Sequence, residues 1–131
     1  MRAAFDAFME AVETGVPNLT LYDTRAPQEA SGVYAVAGDS SPRHEGYRQD
    51  ATPTVRELTF TLMGVGASRK EALWSVEKTE GVLTRRRLTI LGRTSTPLRK
   101  IGGGQVIWDD DSEAPQVYTV TDVWRCRLDL A

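Results

Sequence analysis

Between Val55 and Met63 apolar and polar residues alternate, so Leu58, Phe60 and Leu62 fall on one side of an extended chain and Glu57, Thr59 and Thr61 on the other. A period of two with one apolar face is the habit of an antiparallel sheet that is covered on one side, whereas a parallel sheet covered on both sides reads as a continuous apolar run. This segment restricts the chain to folds in which a half-wet antiparallel sheet finds a single packing layer.

Two helices are predicted to supply that layer. Phe5, Phe8, Met9 and Val12 recur at helical spacing within Arg2 to Glu13, with Ala4 and Ala11 beside them, and Gly15 and Pro17 stop the run. The second helix opens at Ser68, an N-cap with Glu71 three residues later, and sets Ala72, Leu73, Val76, Thr79 and Leu83 on one stripe before it ends near Gly81 to Thr84.

Further strands are expected at Leu19 to Asp23, Gly32 to Ala37, Arg86 to Leu91, Leu98 to Ile101, Gln105 to Trp108 and Gln116 to Leu130. The run Gly102-Gly103-Gly104 separates two of them. In the last, Tyr118, Val120, Trp124, Cys126, Leu128 and Leu130 share a face that Asp122 interrupts, which marks a candidate bulge.

The stretch Gly38 to Pro53 is polar, contains two prolines and two glycines, and follows neither period. Such a segment is expected to be an extended loop, about residues 38–54, that is functional or disordered. The element order predicts an α+β fold. It has a mostly antiparallel sheet, an N-terminal helix and a central amphipathic helix on one face, the long loop, and a C-terminal β-hairpin. At 131 residues, one domain spanning 1–131 is expected.

Sixteen Lys and Arg against eighteen Asp and Glu leave a formal charge of −2, so no overall field draws the chain to phosphate backbones, and sequence-specific nucleic acid is not an expected partner. Cys126, the one cysteine, has no internal disulfide partner. No apolar run approaches the roughly 18–20 residues that span a bilayer. The opening Met1-Arg2-Ala3-Ala4-Phe5 lacks the apolar core of a signal peptide. Synthesis in the cytosol, without a membrane partner, is the expectation.

Residues with chemical potential do not gather into a motif. Gly64-Val65-Gly66 lies between strand and helix, where a nucleotide loop would sit, but Arg69 takes the third glycine position and no acidic residue closes the next strand near Leu91. The two glycines are expected to let the chain turn sharply into the helix, with phosphate or nucleotide binding at Gly64 to Ser68 as the alternative. His44 and Cys126 could pair as a nucleophilic dyad, yet Cys126 falls on an apolar face, where burial raises a thiol pKa. Asp109-Asp110-Asp111, followed by Ser112 and Glu113, lacks the spacing and central glycine of a calcium loop and reads as a solvated hairpin tip. No enzyme activity, cofactor or metal is expected.

Arg85-Arg86-Arg87, with Arg93, Arg99 and Lys100 downstream, is the densest basic cluster, although strand alternation would point Arg86 away from Arg85 and Arg87. Trp74, Trp108 and Trp124 sit on three different elements, Trp124 at a core position.

The linear order resembles the tail terminator proteins of long, non-contractile phage tails, related to the lambda U protein. The resemblance is carried by the leading helix ending at Gly15, by Leu19-Thr20-Leu21-Tyr22-Asp23 with Pro27 downstream, and by Gly32-Val33-Tyr34-Ala35-Val36. It continues through the long loop into Val55 to Met63, a central helix with Ala72 and Trp74, and a final hairpin over Gln105 to Leu130. It implies a virion protein that forms a ring, typically of six copies, which caps the tail tube, ends its polymerisation and meets the head connector. The implied partners are copies of itself, the tube protein and the connector; a stopper or adaptor of the same neck region is the neighbouring alternative. Candidate interface residues are Arg43, His44, Tyr47 and Arg48 in the loop, Arg85, Arg86 and Arg87, and Asp109, Asp110 and Asp111.

Overall fold

The computed structural model describes residues 2–27, 32–39, 43–47, 53–90, 92–109 and 117–129, with the side chains of 2, 43–47, 53–55, 109 and 129 outside the description. The chain is an α+β fold with two helices on a mostly antiparallel sheet, as its patterning predicts.

The centre is β4 (Pro53–Gly66), longer at both ends than the alternation alone indicates. Along one side it pairs antiparallel with β8 (Val117–Asp129) from Val55↔Asp129 to Gly66↔Tyr118 without a break. Its other side is shared: β3 (Arg43–Tyr47) pairs with its first residues and β2 (Tyr34–Asp39) with its last. β1 (Thr20–Asp23) adds to β2 as the parallel pair of the sheet, and β7 (Arg99–Asp109) adds to β8, giving the order β1-β2-β4-β8-β7. Proline at the start of β4 is compatible with the ladder, because a first residue can forgo its N–H bond.

Helix α1 (Arg2–Gly15) turns Ala4, Phe5, Phe8, Ala11 and Val12 into the core, where they meet Leu58, Phe60 and Leu62 of β4 and Trp124, Cys126 and Leu128 of β8. Helix α2 (Arg69–Leu83) buries a smaller stripe: Ala72, Ser75, Val76, Thr79 and Leu83. Its two buried hydroxyls are satisfied within the helix, since Ser75 Oγ donates to the Ala72 carbonyl at 2.7 Å and Thr79 Oγ1 to that of Val76 at 2.9 Å. Small side chains on this face let α2 approach the sheet closely. A Cβ on Gly64 would overlap Ser75 Oγ and lie 3.0 Å from the Ala72 carbonyl.

Three expectations are corrected. First, the stretch Gly38 to Pro53 is not all loop, because β3 lies within it and β2 runs on to Asp39. Second, the strands expected on either side of Gly102-Gly103-Gly104 are one strand, β7, whose register against β8 shifts between Lys100 and Gly102 and between Gly103 and Val106. The bulges are therefore in β7, and β8 passes Asp122 in register with β4. Glycine makes this possible: Gly103 and Gly104 take φ of 110° and 88°, and a Cβ on Gly103 would strike the Thr121 carbonyl. Third, the strand expected at Arg86 to Leu91 reduces to β5 (Thr89–Ile90), paired with β6 (Arg93–Thr94) apart from the main sheet.

Candidate functional site

The end of α2 is shaped by a turn instead of a strand. Thr84 caps the helix and Arg85 takes a left-handed φ of 64°, its N–H donating to the Leu98 carbonyl at 3.2 Å while the Leu98 N–H donates to the Arg86 carbonyl at 2.7 Å. The alternation expected through Arg85-Arg86-Arg87 therefore does not apply. All three are exposed but go to different places: Arg87 Nη1 donates to the Ser95 carbonyl at 3.3 Å, whereas Arg85 enters the wall of a cleft.

That cleft has a volume of about 720 Å³ and lies between the end of α2, the segment leading into β7, and the later residues of β8. Arg85, Arg99, Lys100, Arg125 and Arg127 line it, opposed by two carboxylates. Glu57, buried although acidic, pairs with Arg125 at 3.1 Å, and Glu80 pairs with Lys100 at 3.4 Å. A helix C-terminus favours nearby cations, so Lys100 and Arg85 are well placed there.

Behind this wall lies Asp122, 1% exposed, with the Lys100 ammonium 3.9 Å away. Burial pushes its carboxyl above the ordinary range; Lys100 and the Gly104 backbone offset part of the rise and Glu80 adds to it. Neither Asp122 oxygen has a fully formed hydrogen bond. Cys126 is also buried, and burial raises its thiol pKa against a smaller opposing effect of Ser95, so it is held as the unreactive thiol.

The glycines before α2 serve close packing. A Cβ on Gly66 would sit 2.5 Å from that of Glu71 and 2.7 Å from the Ala72 nitrogen. Ser68 Oγ accepts the Glu71 N–H at 3.2 Å, and Glu71 Oε2 reaches back to accept the Ala67 N–H at 2.8 Å, one residue earlier than the usual capping box. A carboxylate thus occupies the helix end where a phosphate would have to sit.

The free edge of the sheet carries its own signal. Ile101, Ile107 and Trp108 of β7 are 38%, 57% and 50% exposed, and Trp108 stacks on Tyr118 of β8 with centroids 6.4 Å apart. Trp124 is fully buried and Trp74 packs partly buried against the core. The cleft and the exposed end of β7 are absent from linear spacing, because they join residues from four elements, β4, α2, β7 and β8, and from the segment that leads into β7.

Of the remaining candidates, Arg43, His44 and Tyr47 lie in β3, opposite Glu57, Arg56 and Pro53, with only their backbone described. Asp109 ends β7 opposite Val117. Arg48, Asp110 and Asp111 lie outside the described residues. Among the described residues no group of three His, Cys, Asp or Glu is placed to hold a metal ion, and no helix is long and apolar enough to cross a membrane.

No family model and no curated protein matches the chain. Solved structures do. A chain that carries only a serial designation is 18% identical, with a TM-score of 0.67, over 99% of this chain and 94% of its own length. A chain of the virion of a native gene transfer agent particle is 14% identical, with a TM-score of 0.63, over 98% of this chain and 94% of its own. At these identities the likeness is one of fold, and it extends end to end in both chains.

Proposed function

We propose that this chain is a structural protein of a phage-like particle and acts as its tail terminator: a ring of copies, each using residues 1–131 as one unit, that closes the tail tube and meets the head connector. The observation that carries the reading is the fold shared over 98% of this chain with a chain of a gene transfer agent virion. The linear layout that resembles tail terminators supports the narrower role. The surface is compatible with assembly, because β7 presents an unpaired edge with large exposed apolar side chains beside a strongly charged cleft. On this reading the protein has no substrate and needs no cofactor, and its place is the virion neck after assembly in the host cytoplasm.

Electron microscopy of particles carrying the tagged protein tests the proposal. Density at the upper end of the tail, with tubes of uncontrolled length when the protein is withheld, is the expected result. Density at the head vertex with tubes of normal length would assign the chain to a stopper or adaptor instead. Nucleotide binding at Gly64 to Ser68 finds no support beside the Glu71 carboxylate.

A further inference from the structure

Arg99 and Arg125 face each other directly across β7 and β8. Residues paired in this way share one face of the sheet, and like charges placed there repel. Glu57 of β4, opposite Arg127 and 3.1 Å from Arg125, is the buried carboxylate beside them, and Lys100 is paired with Glu80. Five of the chain's sixteen Lys and Arg thus meet in a cleft that holds two carboxylates, an excess of three positive charges in a chain whose formal charge is −2. Arg85 and Arg99 have no ion pair among the described residues.

Arg85 reaches this place at a conformational cost. The residue after a helix cap often turns left-handed, and glycine is the usual choice because it has no Cβ to crowd the backbone. Here an arginine takes that position with φ of 64°, and backbone hydrogen bonds between Arg85, Arg86 and Leu98 hold the turn. Backbone strain that the surroundings maintain is concentrated at functional sites. Its effect is to fix a guanidinium in the wall of a cleft that Arg99 lines from the sheet.

We infer that the cleft receives an acidic segment of a partner protein, whose carboxylates pair with Arg85 and Arg99. The inference rests on the assembly reading above and gives the chemistry of one partner. A volume of about 720 Å³ is that of a ligand pocket, and an arginine fork holds a carboxylate through two parallel N–H donors. The two receiving groups come from separate elements, with Pro97 and Leu98 also in the lining, which suits charges spaced along a peptide. An incoming carboxylate would also offset the repulsion between Arg99 and Arg125. A nucleic acid is the poorer occupant: its phosphates repeat at close, regular intervals and would meet Glu80, 45% exposed in the same wall, on a chain of net negative charge.

Fluorescence anisotropy tests this with a labelled synthetic peptide of alternating Glu and Ser, compared with the same peptide carrying Gln for Glu. At low salt the wild type is expected to bind the Glu peptide roughly tenfold or more tightly than the Gln peptide, and added salt is expected to abolish the difference. Arg99→Glu and Arg85→Gly, glycine being suited to a left-handed φ, are each expected to lose roughly tenfold or more in affinity. Lys78→Glu, an equal charge change to Arg99→Glu at an exposed position of α2 outside the cleft, is expected to change affinity by less than about twofold. Circular dichroism of each variant confirms folding. Equal binding of the two peptides, or as large a loss in Lys78→Glu as in Arg99→Glu, would overturn the inference. So would a labelled DNA duplex that binds more tightly than the Glu peptide and is released by Arg99→Glu. In particles, a photo-reactive side chain in place of Pro97 is expected to crosslink to an Asp- and Glu-rich segment of another protein; crosslinks confined to DNA or to further copies of this chain would overturn it. Density at the tail end without charge-dependent peptide binding removes the site and keeps the terminator. Peptide binding and an acidic crosslink in particles whose density lies at the head vertex do the opposite.

Discussion

Phe8 of α1 stacks on Phe60 of β4, with ring centroids 4.6 Å apart and planes inclined by 10°. Both are buried, so this contact ties the first helix to the central strand of the sheet across nearly half the chain. Phe8→Ala removes a full aromatic from a packed site and is expected to cost about 3–5 kcal/mol. Chemical denaturation at unchanged m-value checks the figure; a loss under roughly 1 kcal/mol would mean that α1 is dispensable to the core.

Gly64 and Ser75 share one space. Gly64→Ala is expected to destabilise by about 1–3 kcal/mol, because the new methyl group overlaps Ser75 Oγ. Removing that oxygen in Gly64→Ala/Ser75→Ala should recover much of the loss. Thermal unfolding of the two single variants and the pair gives the coupling energy, and additivity of the two changes would disprove the overlap.

Asp122 sets a pH dependence of opposite sign to the usual acid effect. Its folded pKa is raised, so the native state binds its proton more tightly than the unfolded chain does. The contribution is most favourable below the ordinary aspartate range and is lost as pH rises through the folded value. Asp122→Asn should therefore stabilise the protein near neutral pH, on the order of 1 kcal/mol, with little change in acid. Unfolding free energies at pH 4 and pH 7 test it: equal effects at both would assign the gain to something other than titration.

Both helices, β4 and β8 are visible in the sequence because each buries one periodic face: Phe5 and Phe8, then Leu58, Phe60 and Leu62, then Trp124, Cys126 and Leu128. β3 is not visible, since Arg43 to Tyr47 has no apolar alternation and owes its strand to pairing with β4. The three glycines of β7 read as a break, whereas the positive φ values of Gly103 and Gly104 let one strand continue through two bulges. The basic tripeptide misleads in the other direction: Arg85 turns left-handed at the helix end, where the Arg86 N–H bonds back to the Leu83 carbonyl and Leu98 pairs with Arg85 and Arg86 from a distant part of the chain. The cleft brings together Glu57, Glu80, Arg99 and Arg125, which no local pattern connects.

The two bulges of β7 also limit what the free edge of the sheet can recruit. An unbroken free strand of eleven residues would be a template for indefinite stacking of sheets, but the irregular stretch from Lys100 to Val106 divides it into pieces too short and too twisted to recruit a foreign strand along their length. Growth by backbone pairing is thereby discouraged at the outermost strand. A folded chain with this outer strand keeps its sheet to itself.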